Sequence, residues 1–120
     1  MIINLTQHKA TPEQVAAGVI ELAPVQREEL TRLLTFEELP SFEELYERAE
    51  KIAKLPGVRS CAQAMIGGAP FFMEPLTQVL RVFGIRTVFA FSRRVSVEST
   101  AADGSVTKTA IFRHEGFVEL

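Results

Sequence analysis

Apolar and polar positions divide the chain into segments of two periods. Ile2, Ile3 and Leu5 form a short apolar run of the kind a buried strand shows. Thr11-Pro12-Glu13-Gln14 then predicts a helix start. Thr11 is placed to cap, Pro12 suits the first helical position because its missing N–H is not needed there, and Gln14 closes a capping box. Val15, Ala16, Val19 and Ile20 follow as the apolar face of that helix. A second helix is predicted from about Val25 to Leu34, with Leu30, Leu33 and Leu34 inward, and Ser41 with Glu44 opens a third by the same box. Leu45, Ala49, Ile52 and Ala53 keep the helical period to Leu55, and Pro56-Gly57 ends it.

Cys61 to Ile66 is the next apolar segment and it ends at Gly67-Gly68. Phe72, Leu76, Val79, Leu80 and Phe83 repeat at three and four, which predicts a helix stopped by Gly84. Ile85 to Phe91 reads as a further buried strand. Val95 to Glu98 and Val106 to Phe112 alternate by twos around Asp103-Gly104, a strong hairpin signal.

Strand, helices, strand, helix, strand and hairpin, in that order, predict a mostly parallel sheet with helices on its faces, ending in an antiparallel pair. The expected fold is α/β, a Rossmann-like three-layer domain. With 120 residues the chain buries one core and not two, so residues 1–120 are expected to form a single domain. The middle region with its two helices, Val25 to Leu34 and Ser41 to Leu55, lying between the first two strands, admits a second packing, as a small helical cap.

Composition narrows the class of protein. At 47% apolar and 23% charged residues the chain is globular rather than disordered. No apolar run approaches the roughly 18 residues of a membrane span. Met1-Ile2-Ile3-Asn4-Leu5 has neither the basic region nor the cleavage site of a signal peptide, so a cytoplasmic protein is expected, with no membrane partner. Cys61 stands alone and the two histidines are too far apart for a standard zinc spacing; neither metal nor cofactor is expected. The net charge of −2 hides an asymmetry: Glu21 to Glu50 carries −6 and the remainder +4. A solvated acidic helical face accounts for that stretch, and the asymmetry also permits an anion to be drawn to the other side.

Ligands of open α/β sheets bind at the carboxyl ends of the parallel strands, where loops meet helix N-termini. That rule selects Thr6-Gln7-His8-Lys9, Gly67-Gly68-Ala69-Pro70 and Ser92-Arg93-Arg94. Together they supply hydroxyls, close backbone approach and positive charge, a set suited to a phosphate-bearing ligand. Gly67-Gly68 serves either as a phosphate cradle or as a tight strand-to-helix turn. Arg93 and Arg94 are candidates for bidentate phosphate contacts or form a solvated pair at a bend. His8 is placed to contact a phosphate or to act as acid or base, or else to cap or stand exposed. His114 and Cys61 read as structural, and Ser92 lacks partners at a hydrolase spacing.

Asn4-Leu5-Thr6-Gln7-His8 with Thr11 and Gln14 resembles the opening of a small CRISPR-associated family whose first strand ends at Ser-His. Val88-Phe89-Ala90-Phe91-Ser92-Arg93-Arg94, Glu98, Asp103-Gly104, Lys108, Phe112, His114 and Phe117 are similar to its C-terminal half, and Gly67 to Gly84 is similar more loosely. Gly67-Gly68 stands where that family has Gly-Asp, and Val118 and Leu120 stand where it has an arginine and a tyrosine. The family belongs with the CARF-like (CRISPR-associated Rossmann fold) proteins taken to be ring nucleases. The resemblance implies a homodimer that binds a cyclic oligoadenylate across a two-fold axis and cleaves it without metal.

In that reading His8, Arg93 and Lys108 are catalytic, His8 as acid or base and the cations as stabilisers of the phosphorane. Thr6, Gln7, Gly67, Gly68, Ser92 and Arg94 bind the ligand, which is RNA because the chemistry needs a 2′-OH. Duplex DNA is not expected as a partner. Two other readings remain: a non-enzymatic module that binds a nucleotide or a partner protein, and a structural oligomer built on the apolar C-terminal hairpin.

Overall fold

Four consecutive buried residues, Ile2–Leu5, form strand β1 in the structure, a computed structural model that describes residues 1–120. Alternation sends Ile3 and Leu5 to one face of the sheet and Ile2 and Asn4 to the other. Helix α1 (Pro12–Ala16) carries the expected capping box complete. Thr11 Oγ1 accepts from the Gln14 N–H at 3.2 Å, and Gln14 Oε1 accepts from the Thr11 N–H at 3.0 Å. The helix is five residues long. Gly18 turns the chain at φ +106°, and Val19–Ile20, expected on the apolar face of this helix, instead form strand β2, parallel to β1. A left-handed glycine ends the helix, and two β-branched residues then fit an extended edge.

Helices α2 (Pro24–Leu34) and α3 (Phe42–Ala53) bury the residues their periods select, Leu45 only in part. At α3 one half of the capping box forms: Ser41 Oγ accepts from the Glu44 N–H at 3.1 Å. The Glu44 carboxylate turns instead to Arg48, one turn on, at 3.0 Å. Strand β3 (Gln63–Ile66), helix α4 (Pro70–Val82) and two long strands, β4 (Arg86–Thr100) and β5 (Val106–Glu119), complete the chain.

The five-stranded sheet has the order β2-β1-β3-β4-β5, parallel through β4 and antiparallel at β4–β5. Mixed α/β class and mostly parallel pairing agree with the sequence reading. Residues of α2, α3 and α4 join Ile3, Leu5, Ala64 and Ile66 in one core, so α2 and α3 belong to the main body and not to a separate cap. A smaller cluster, Ile2, Val19, Met65 and Val88, lies on the other face with Ala10 and Phe117 against it. The helix left out of the main core, α1, buries no residue. Two layers are therefore fully built, and the third is far slighter than expected.

Strand β4 does not stop at Phe91. It pairs with β3 as far as Val88 and continues to Thr100, with β5 opposite it throughout and an irregularity at Phe91/Ser92, where Glu115 is the extra residue. No residue from Arg93 to Arg113 is buried. The molecule measures 59 × 32 × 27 Å, and its radius of gyration is 17.4 Å, where about 13–14 Å is usual for this length. The excess is the β4–β5 arm. At its tip Asp103 accepts from the Ser105 N–H at 2.9 Å and from Ser105 Oγ at 2.6 Å, which holds its carboxyl below the usual carboxylate range. No helix is long and apolar enough to cross a membrane.

Candidate functional site

The chain leaves β1 toward β2 on one side and returns to β3 on the other, so the loops after β1 and β3 diverge and a cleft of about 400 Å³ opens between them. Thr6, Gln7, His8 and Lys9 form one wall, with Thr11 and Gln14 from the first turn of α1 beside them. Gly67 and Gly68 form the opposite rim, and Met65, Ile66, Phe89 and Ala90 line the remainder.

Five of the residues expected at the site meet here: Thr6, Gln7, His8, Gly67 and Gly68. The His8 imidazole makes no hydrogen bond within the chain, whereas its carbonyl accepts from Asn4 Nδ2 at 2.8 Å and from Thr6 Oγ1 at 3.0 Å. The Gln7 side chain donates to Thr35 Oγ1 at 3.1 Å, away from a purely ligand-facing role. Lys9, the cation of the wall, has no acidic partner in the chain. The other four do not line the cleft. Ser92 lies beyond the irregularity, opposite His114; Arg94 lies opposite Phe112. Arg93 Nε donates to Glu115 at 3.0 Å, and Lys108 Nζ is 3.5 Å from Glu98. Ser92-Arg93-Arg94 was expected at a strand end, but hairpin pairing carries β4 straight through it. His8, Arg93 and Lys108 are therefore not gathered within one chain.

The loop after β1 is fixed by residues to which the sequence assigned no role. Asn4, fully buried, donates to Glu21 Oε1 at 2.5 Å and accepts from the Thr6 N–H at 2.9 Å; Thr6 Oγ1, 2.7 Å from its Oδ1, shares one proton between that oxygen and the His8 carbonyl. Glu21 pairs with Arg27 at 2.9 Å, and Arg27 donates to the Gln7 carbonyl at 3.3 Å. This network ties the backbone of Gln7 and His8 to the ends of β1, β2 and α2. Its one signal in the sequence is a lone amide in an apolar strand, since a polar group is buried only when it is satisfied.

Of the glycine rim, Gly68 is the position the backbone specifies. A Cβ on Gly67 would stand 3.4 Å from Thr6 Cγ2, and Gly68 has φ +142°. Gly68→Ala is expected to cost about 1–3 kcal/mol, the scale of a side chain forced into a glycine conformation. Gly67→Ala meets only the Thr6 methyl and should cost less. Urea unfolding of both variants checks the order; equal midpoints would mean that the Gly68 turn relaxes.

His114 presents its ring edge-on to Phe117, with centroids 4.8 Å apart, and its Nδ1 is buried without a partner. It does not line the cleft. Residues 1–118 match the family described as "Uncharacterized protein MJ1673 family". No curated protein and no solved structure matches the chain.

Proposed function

The chain belongs to the Uncharacterized protein MJ1673 family, and for this member we propose that the cleft between β1 and β3 binds a phosphate-bearing nucleotide, with a cyclic oligoadenylate the first ligand to test. One observation carries the reading. The strand order 2-1-3-4-5 is that of a common doubly wound arrangement, and the cleft coincides with the point at which that order reverses. A Rossmann-like reading of the fold rests on the same order. The wall offers the Lys9 ammonium, the rim offers backbone approach at Gly67-Gly68, and His8 supplies a ring with two free nitrogens.

The cleft takes about one nucleotide, at the small end of the range for ligand pockets. A ring would therefore be held by one of its nucleotides per chain. The choice of ligand follows from the resemblance of both chain ends to small CRISPR-associated ring-nuclease proteins. Cleavage without metal would be a transesterification. The ribose 2′-oxygen attacks the adjacent phosphorus and the 5′-oxygen leaves, giving a 2′,3′-cyclic phosphate and a 5′-hydroxyl. The 2′-OH proton passes to His8, and a proton returns to the leaving oxygen. Lys9 takes the charge-stabilising place expected of Arg93 and Lys108. Binding without cleavage is the second reading, favoured because only His8 of the expected catalytic trio lines the cleft.

Calorimetry with AMP and a panel of cyclic oligoadenylates, followed by mass analysis of products, tests the proposal. Lys9→Ala is expected to weaken binding about tenfold, the loss of one charge-assisted hydrogen bond. Arg93→Ala and Lys108→Ala should each change affinity less than about twofold, since their partners are Glu115 and Glu98. Failure of every ligand in the panel to bind sinks the reading.

A further inference from the structure

From Ser92 to Thr100 the β4–β5 ribbon extends with no helix and no third strand on it, a reach of about 30 Å at about 3.3 Å per residue. A two-stranded ribbon alone is at best marginally stable in water. This one nevertheless has the composition of an interior strand. Val95 stands opposite Ile111 and Val97 opposite Thr109 on one face. Val106-Thr107-Lys108-Thr109-Ala110-Ile111-Phe112 contains one charge, no proline and no bulge, and its outer edge is unpaired. Natural edge strands guard against pairing with charges, prolines or bulges. The single charge here is already paired across the ribbon with Glu98.

We propose that this edge pairs with the same edge of a second copy, antiparallel about a two-fold axis, joining two arms into one four-stranded sheet. The segment is self-complementary when centred on its midpoint, Thr109. Val106 then meets Phe112 of the second copy, Thr107 meets Ile111 and Lys108 meets Ala110, so that no like charges are opposed between Val106 and Phe112, which suits an isologous contact. Charge along the arm runs the same way. The tip carries Asp103, which has no cationic partner, and the base carries Arg93, Arg94 and Arg113 against Glu115 alone. Arg93 and Arg113 stand directly opposite one another, a pairing that disfavours the isolated ribbon. Antiparallel overlap brings each acidic tip to the other arm's base, where Arg93, Arg94 and Arg113 outweigh the Glu115 that stands opposite Asp103. The occupant is a second copy of this chain, and the inference does not depend on what the cleft binds.

Three measurements on the full chain test it. Light scattering at about 100 μM should give twice the 13.3 kDa chain mass. Thr109→Cys should form a disulfide-linked dimer under mild oxidation, while Val97→Cys, on the opposite edge of the ribbon, should not; the native Cys61 is buried and does not interfere. Replacing Val95–Ile111 by Asn-Gly should give a monomer whose unfolding midpoint is close to that of the parent, because no residue of the arm is buried. A monomeric wild-type chain, a dimer that survives shortening, or equal cross-linking of both cysteine variants overturns the proposal. So does a monomer whose arm instead retains single- or double-stranded nucleic acid.

Discussion

Asn4→Leu is expected to lower the unfolding free energy by about 2–4 kcal/mol, a large share of what a domain of this size has to lose. Leucine keeps the shape and the strand, so the loss is polar. Asn4 is fully buried and serves the His8 carbonyl, the Glu21 carboxylate, and the Thr6 amide and hydroxyl. Each group left without its partner in a part-buried place costs about 1–3 kcal/mol, offset where water reaches it. Glu21 keeps Arg27 at 2.9 Å, which limits the damage. Asn4→Asp separates charge from shape: it sets a carboxylate against that of Glu21, and its destabilisation should ease as either acid is protonated on lowering the pH. Chemical denaturation gives the magnitude, and amide exchange at Thr6 to Lys9 shows whether the loop loosens. A change below about 0.5 kcal/mol for Asn4→Leu would mean that solvent replaces the amide and that the loop is held by its own turn.

The long periodic elements were legible in the sequence because their signals are local. Thr11 and Gln14 close their box as spelled, and the leucines of α2 and the alanines of α3 sit where a 3.6-residue period puts them. Val19 and Ile20 were misplaced because a two-residue strand satisfies the preceding helical spacing, and only the backbone at Gly18 separates the two. The cleft was legible for a topological reason: once the strands are ordered, Thr6 to His8 and Gly67-Gly68 must share an end of the sheet. Arg93, Arg94 and Lys108 were not, since whether β4 ends at Phe91 or runs on to Thr100 is decided by pairing with β5 and not by the residues themselves. The Asn4 network escaped for a similar reason. Its partners Glu21 and Arg27 are brought in by the crossover to β2, across a sequence separation that no local pattern records.

The largest expected effect on activity is at His8. If the cleft opens a cyclic oligoadenylate, His8→Ala should slow the reaction by roughly 10²–10⁴ while affinity stays within a few-fold, the pattern of a lost general acid or base. The geometry favours that separation of rate from binding. The His8 backbone is held by Asn4 and Thr6 whatever its side chain, so alanine removes the imidazole and leaves the wall in place. Lys9 and the Gly67-Gly68 rim, which carry the binding, are untouched. Single-turnover cleavage at saturating ligand, alongside calorimetry on the same variant, reads the two quantities independently. A fall in affinity with less than about tenfold change in rate would make His8 a phosphate contact. A chelator should leave the wild-type rate unchanged, since the proposed proton transfers run through the imidazole. A wild-type chain that binds the ring and returns it intact removes the enzymatic reading altogether and leaves a protein that sequesters its nucleotide. Calorimetry on Lys9→Ala and on the wild type over a range of salt then shows whether the Lys9 charge holds the ligand, because a charge contact weakens steeply with added salt.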